Sequence, residues 1–114
     1  MPVNLSMRYS VKTIPNFDRS LKRLVKKYPS LKQEYILLIE ALADNPEEGL
    51  ALGNNCFKIR LAVALKGKGK SGGARVITYV LVAENSVYLL DIYDKSEQNN
   101  ITDKELQLLM KEIV

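Results

Sequence analysis

Hydrophobic and polar residues recur with two different periods along the chain, and the changes of period predict its elements. Over positions 7–11, Met, Tyr and Val alternate with Arg and Ser, which is typical of a half-buried strand. Apolar residues then recur every three or four positions over 17–28 and again over 31–42, which predicts two helices separated by Pro29. Because the connector is short, we expect the two helices to form a helical hairpin.

The period-two pattern returns in the second half of the chain. Over 57–63, apolar residues alternate with polar ones, which predicts a strand with Lys58 and Arg60 on one face. Two β-rich runs at 76–82 and 87–92, separated by a short polar turn, predict two further strands. Consecutive strands with short connections favour an antiparallel meander.

Polar residues at fixed spacing mark the starts of two helices. Ser30 with Gln33, and Thr102 with Glu105, both have the spacing of a capping box. The apolar residues over 106–113 follow the second box at helical spacing, which predicts a C-terminal helix.

The order of elements is therefore predicted as β-α-α-β-β-β-α, an α+β fold. We expect an antiparallel sheet with the helical hairpin and the C-terminal helix packed on one of its faces. The chain of 114 residues, 46% of them apolar, fits one domain over 1–114.

Composition excludes several kinds of chemistry. The chain has no histidine and a single cysteine, Cys56, so it can form neither an intramolecular disulfide nor a Cys/His zinc cluster. Glycines 67, 69 and 72 spell G-x-G-x-x-G, but a β-rich run follows them where a dinucleotide site needs a helix. We expect no metal and no cofactor. Since no signal peptide or membrane-spanning segment is evident, we expect a cytoplasmic protein without membrane contact.

The net charge of +4 is unevenly distributed. Positions 56–83 hold six cations and no acid. These cations are Lys58, Arg60, Lys66, Lys68, Lys70 and Arg75. An uncompensated basic stretch in a small domain indicates a polyanion site, with a solvated lysine loop as the alternative.

The predicted strands over 57–63 and 76–82 form a β-hairpin, which brings these cations together. The next predicted strand ends beside this β-hairpin with Tyr93, Asp94 and Lys95. Clustered cations bind phosphate, and an aromatic ring can stack on an RNA base. RNA cleavage needs a base for the 2′-hydroxyl, charge stabilisation at phosphorus and an acid for the leaving oxygen. A crowded lysine of the loop could be the base, and the two arginines could stabilise the phosphate oxygens. The alternative is that Tyr93 and Asp94 are ordinary strand-end packing.

Four segments of the chain carry a family resemblance. They are F-D-R-S-L-K-R-L-V-K-K-Y at 17–28, K-I-R-L at 58–61, K-G-K-G-K-S-G-G-A-R-V at 66–76 and L-L-D-I-Y-D-K-S at 89–96. In these segments the chain resembles the RelE/ParE superfamily of type II toxin–antitoxin toxins. The glycine-lysine loop and the Tyr-Asp-Lys segment resemble the RelE-like branch in particular. The resemblance implies the fold given above, a cognate antitoxin that wraps the toxin, and cleavage of mRNA on the ribosome. It implies contact with DNA only through the antitoxin complex.

The resemblance also implies roles for particular residues. Arg75 matches the family's phosphate-stabilising arginine. The other residues implied for catalysis are Lys66, Lys68, Tyr93 and Lys95, and those implied for RNA binding are Lys58, Arg60 and Lys70. A helix is predicted where RelE places a late catalytic tyrosine, so the general acid and base stay unassigned. The ParE branch, which inhibits DNA gyrase without cutting RNA, and an inactive antitoxin-binding homologue are the alternatives.

Overall fold

A computed structural model describes residues 8–63, 73–98 and 100–113, which form a five-stranded sheet and three α-helices. In chain order the elements are β1 (Ser10–Thr13), α1 (Pro15–Lys27), α2 (Leu31–Asp44), β2 (Leu50–Gly53), β3 (Cys56–Leu61), β4 (Ala74–Leu81), a 3₁₀ turn (Val82–Glu84), β5 (Ser86–Asp94) and α3 (Asp103–Met110). No helix in these described stretches is long and apolar enough to cross a membrane. The predicted α+β class and the meander of β3, β4 and β5 are confirmed.

The sheet differs from the prediction in two respects. Its order is β1-β5-β4-β3-β2, and β1 pairs with β5 in parallel, so the sheet is mixed rather than antiparallel. The second difference is β2, a strand that the predicted order of elements does not contain. It is a mostly exposed edge strand and so lacks the alternation that reveals a strand. The signal that could have revealed it is Asn54-Asn55, whose φ angles of 54° and 62° suit a two-residue hairpin turn.

Only one of the two predicted capping boxes forms. Thr102 Oγ1 accepts from the backbone N–H of Glu105 at 3.1 Å, and the Glu105 carboxylate accepts from the Thr102 N–H at 3.0 Å. Ser30 makes no such bond, and its hydroxyl is buried without a partner in the part of the chain that the structure describes. The prediction at Ser30 is wrong because the preceding turn already satisfies an amide at the start of α2: the Leu31 N–H donates to the Tyr28 carbonyl at 2.9 Å.

The two faces of the sheet have different surroundings. One face, which we call the hairpin face, carries Ile59, Val76 and Ile92, all buried, and the α1–α2 hairpin covers it. The other, which we call the arginine face, carries Arg60, Arg75 and Tyr93. The third helix lies on the arginine face, since Met110 Sδ is 3.9 Å from the sulfur of Cys56, a residue that shares this face by alternation. The prediction that all helices pack on one face is therefore wrong, because α3 packs against side chains of the face opposite the hairpin.

Candidate functional site

Three of the residues singled out in the sequence form a row across the arginine face. Arg60 of β3 lies directly opposite Arg75 of β4, and Arg75 lies directly opposite Tyr93 of β5. Side chains of directly opposed residues start about 5 Å apart at Cβ, so the three groups converge. Two like charges in such a pair are unfavourable by themselves. The row therefore places two cations side by side, next to a phenol.

Exposure falls steeply along this row. Arg60 is exposed, whereas only 4% of Arg75 and 3% of Tyr93 are exposed. Burial lowers the pKa of Arg75, and the like charge of Arg60 lowers it further, while Tyr93 opposes the shift. A guanidinium nevertheless stays charged in proteins. The row thus runs from an exposed cation, Arg60, to a buried cation, Arg75, whose charge is little screened by water.

The Tyr93 hydroxyl closes the buried end of the row. It has no hydrogen-bond partner within residues 8–63, 73–98 and 100–113. Burial raises its pKa, and the carboxylates of Asp91 and Glu105 raise it further against the effect of Arg75. The phenol therefore keeps its proton at neutral pH and can donate it. The ring is buried in this structure, so stacking on a base stays a prediction.

Two of the predicted lysines continue the arginine face. Lys58 alternates with Arg60 on β3, and its Nζ lies 3.5 Å from Asn100 Oδ1. The Lys95 N–H donates to the Gly73 carbonyl at 3.0 Å, so the ladder extends one residue past β5. The remaining predicted lysines lie outside the described residues, and their part in the site stays a prediction. They are Lys66, Lys68 and Lys70.

Two carboxylates near the row were missed by the sequence reasoning. Asp91 alternates with Tyr93 on β5 and accepts hydrogen bonds from Asn16, Ser20 and the Ile92 N–H. Burial raises its pKa, and these hydrogen bonds oppose the rise. Glu105 is held in the capping box, which lowers its pKa and leaves it ionised. The available signal was a lone acid inside an otherwise aliphatic run, L-L-D-I.

Asp94 lies on the hairpin face, away from the row. It is 2% exposed and accepts from Tyr28 Oη at 3.0 Å. Its other oxygen accepts from the N–H and the hydroxyl of Ser96, at 2.9 and 2.8 Å. Asp94 therefore ties the C-terminal end of α1 to the end of β5, which is the packing role that was the alternative to a site.

Comparisons with known proteins agree with this fold. The model of the RelE toxin family, of the RelE/RelB toxin–antitoxin system, matches residues 17–113. A mutant of the E. coli toxin RelE in the free state has a TM-score of 0.59 at 15% identity, over 94% of this chain and 99% of that one. A conserved hypothetical protein from Helicobacter pylori has a TM-score of 0.54 at 21% identity, over 78% and 97%. These structures share the fold, and the family match spans most of the sequence. The chain belongs to the RelE toxin family.

Proposed function

We propose that this chain is the toxin of a type II toxin–antitoxin system and acts as a metal-independent endoribonuclease on mRNA in the cytoplasm. Membership of the RelE toxin family supports the assignment as a toxin and the existence of a cognate antitoxin. The observation that carries the nuclease is the row in which Arg60 opposes Arg75 and Arg75 opposes a protonated Tyr93, whose hydroxyl has no partner among the residues that the structure describes. Phosphate groups supply the negative charge and the acceptor oxygens that arginines and a phenol can bind.

The two arginines would bind the scissile phosphate. Guanidinium groups make forked hydrogen bonds to phosphate oxygens, and their charge stabilises the extra negative charge of the transition state. Arg75 does so from a position that is 4% exposed, where the interaction is strong. Since Arg60 is the exposed end, RNA would enter there, and the side chains that cover Tyr93 would have to move for the phosphate to reach it.

The chemistry needs only proton transfers around this phosphate. The 2′-oxygen attacks phosphorus, its proton passes to a base, the P–O5′ bond breaks and the leaving oxygen takes a proton. Tyr93 is assigned as the donor of that last proton, because burial keeps its phenol protonated. The base is assigned to one of the loop lysines, Lys66, Lys68 or Lys70, as the sequence predicts. Lys58 and Lys95 extend the cationic surface along the neighbouring backbone.

The proposed partners follow from the family and from the charge. A basic face of this kind suits the mRNA backbone, and cleavage on the ribosome is the RelE-like mode of action that the resemblance implies. DNA would be contacted only within the antitoxin complex.

Cleavage of a synthetic mRNA, with and without ribosomes, tests the proposal when the new 5′ ends are mapped. We expect Arg75→Gln to lower the cleavage rate by about 10²–10³, the usual effect of losing one transition-state donor. Arg60→Gln should cost less, since the exposed arginine is screened by water. Arg19→Gln, an exposed arginine on α1, is the matched control and should cleave normally.

Three outcomes would contradict this function. Unchanged cleavage in both row variants, each checked for folding by circular dichroism, would remove the row from the site. Growth arrest without new 5′ ends, together with inhibited supercoiling by purified gyrase, would indicate a ParE-like inhibitor. Antitoxin binding with neither activity would indicate an inactive homologue.

A further inference from the structure

A pocket opens at the edge of the sheet, where β3 runs past the start of β2. Leu50 begins β2 and pairs with Lys58, whereas β3 continues beyond that pair to Leu61. The cavity at this uncovered edge has a volume of about 300 Å³, which is at the lower end of the range for small-ligand sites. Its described lining residues are Glu48, Gly49, Leu50, Lys58, Ile59 and Arg60.

Gly49 holds the segment that precedes β2 close against β3. Its φ angle is 97°, in the left-handed region that favours glycine. A Cβ atom at this position would lie 2.5 Å from the Lys58 carbonyl oxygen and 2.9 Å from Ile59 Cγ1, which is too close for atoms that are not bonded. Because any side chain here would push the segment away, the glycine fixes the position of Glu48 beside β3.

The pocket adjoins the exposed end of the arginine row. Arg60 lines the pocket and is also the exposed member of the row. Lys58, two positions earlier on the same face of β3, supplies a second cation. Leu50 adds an apolar wall that is 60% exposed. Cations beside an exposed apolar surface suit a nucleotide, since its phosphate is charged and its base has apolar faces.

Glu48 is the one acid among the described lining residues of this basic pocket. It is half-buried, and its Oε1 accepts from Asn45 Nδ2 at 2.9 Å, so the carboxylate is held in place. In the part of the chain that the structure describes, this carboxylate forms no ion pair. Each carboxylate oxygen has two lone pairs, so both oxygens can still accept from a ligand.

The hydrogen-bonding edges of the four bases decide which of them suits a carboxylate. An ionised carboxylate only accepts hydrogen bonds, and its two oxygens bind a pair of adjacent donors best. Guanine presents such a pair, N1–H and N2–H, on its Watson–Crick edge. Adenine, cytosine and uracil each present a donor next to an acceptor, which would face a carboxylate oxygen unfavourably. Bases of single-stranded RNA are commonly recognised at this edge.

We propose that the pocket binds a guanine base of the RNA next to the scissile phosphate, and that the Glu48 carboxylate recognises it. The base would donate N1–H and N2–H to Glu48 and lie against Leu50, while Lys58 and Arg60 would bind the adjoining phosphate groups. This inference rests on the proposed function as an RNA-cleaving toxin and adds a base preference to the same site.

Binding of mononucleotides tests the pocket without any cleavage. In NMR titrations of the full chain, guanosine 5′-monophosphate should bind about tenfold more tightly than adenosine 5′-monophosphate, the usual value of a bidentate base contact. Inosine 5′-monophosphate differs from the guanosine compound only by lacking the N2 amine, and should bind about threefold more weakly than it. The amide shifts should change over 48–50 and 58–60.

Glu48→Gln should exchange the preference rather than abolish binding. A glutamine amide presents one acceptor and one donor, which match N6–H and N1 of adenine, so the adenosine compound should now bind more tightly than the guanosine compound. Glu47→Gln removes the same charge from the neighbouring exposed residue and should keep the guanine preference. Circular dichroism checks that both variants fold, and the inosine comparison on the parent chain needs no variant.

The proposal is overturned if the guanosine, inosine and adenosine compounds bind the parent equally, if Glu48→Gln keeps the order of the parent, or if the shifts are confined to Arg75 and Tyr93. Mapped 5′ ends separate this outcome from that of the nuclease. We expect guanine beside the cuts of the parent and adenine beside those of Glu48→Gln. Cleavage without a base preference would contradict the pocket alone, whereas guanine binding without cleavage would contradict the nuclease alone.

Discussion

Tyr93 and Asp94 are neighbours on one strand, yet their side chains lie on opposite faces of the sheet and differ in their hydrogen bonding. Asp94 is 2% exposed, and each of its oxygens accepts at least one hydrogen bond, from Tyr28 or from Ser96. Tyr93 is 3% exposed, and its hydroxyl has no partner in the described stretches of the chain. Burial alone therefore does not distinguish a structural polar group from a functional one.

The difference lies in how completely each group is satisfied. A buried polar group with its hydrogen bonds in place stabilises the fold, as Asp94 does between α1 and β5. A buried hydroxyl without a partner costs about 1–3 kcal/mol. That cost falls beside the like-charged pair of Arg60 and Arg75, which is why Tyr93 is the member of this pair of neighbours that we propose for a functional role.

The largest effect that sharpens this comparison is expected from Tyr93→Phe. If the phenol donates the proton to the leaving oxygen, the cleavage rate should fall by about 10²-fold, or about 2.7 kcal/mol of transition-state stabilisation. The stability to urea should stay the same or rise, because the hydroxyl that is lost makes no hydrogen bond to any described residue. Tyr79→Phe, on the same face of β4, is the control and should change neither quantity. A normal cleavage rate in Tyr93→Phe would remove Tyr93 as the acid.

Asp94→Ala should lower the stability to urea rather than the cleavage rate. It leaves the Tyr28 hydroxyl and the Ser96 donors without their acceptor, so we expect the free energy of unfolding to fall by about 2–3 kcal/mol. Tyr28→Phe removes one of these bonds and should cost about 1 kcal/mol. Urea unfolding measures both. The cleavage rate of the folded Tyr28→Phe protein should match the parent, and a loss there beyond the folded fraction would show that Asp94 also supports the site.

The smallest effect is expected from Asp91→Asn, as a change of stability with pH. Burial raises the pKa of Asp91 above its ordinary 3.8, so the folded protein binds this proton more tightly than the unfolded chain does. The parent must lose stability from this group as pH rises from about 4 through the folded pKa. Asparagine does not ionise, and its Oδ1 can still accept from the Ile92 N–H.

The two proteins should therefore have similar urea midpoints near pH 3.5 and diverge above it, with Asp91→Asn the more stable at pH 7. The reverse order at pH 7 would mean that the ionised carboxylate gains more from Asn16 and Ser20 than it loses on burial.

Local patterns predicted the parts of this structure that depend on neighbours in the chain. The Thr102–Glu105 box begins α3, because capping depends on residues within one turn. The strict alternation over β3 placed Lys58 and Arg60 on one face. Pairings between distant segments were not predictable in this way: β1 lies beside β5 although more than 70 residues separate their paired positions.

The sequence by itself determined the α+β class, the three helices, the meander and the identity of the basic residues, because periodicity and charge are written along the chain. The tertiary structure decided which of those residues meet. Strand register placed Arg60, Arg75 and Tyr93 in one row. Packing buried the Tyr93 hydroxyl, which has no partner in the described ranges, while Tyr28, 66 positions away, reached Asp94. Register and burial depend on contacts between remote segments, and no local pattern contains them.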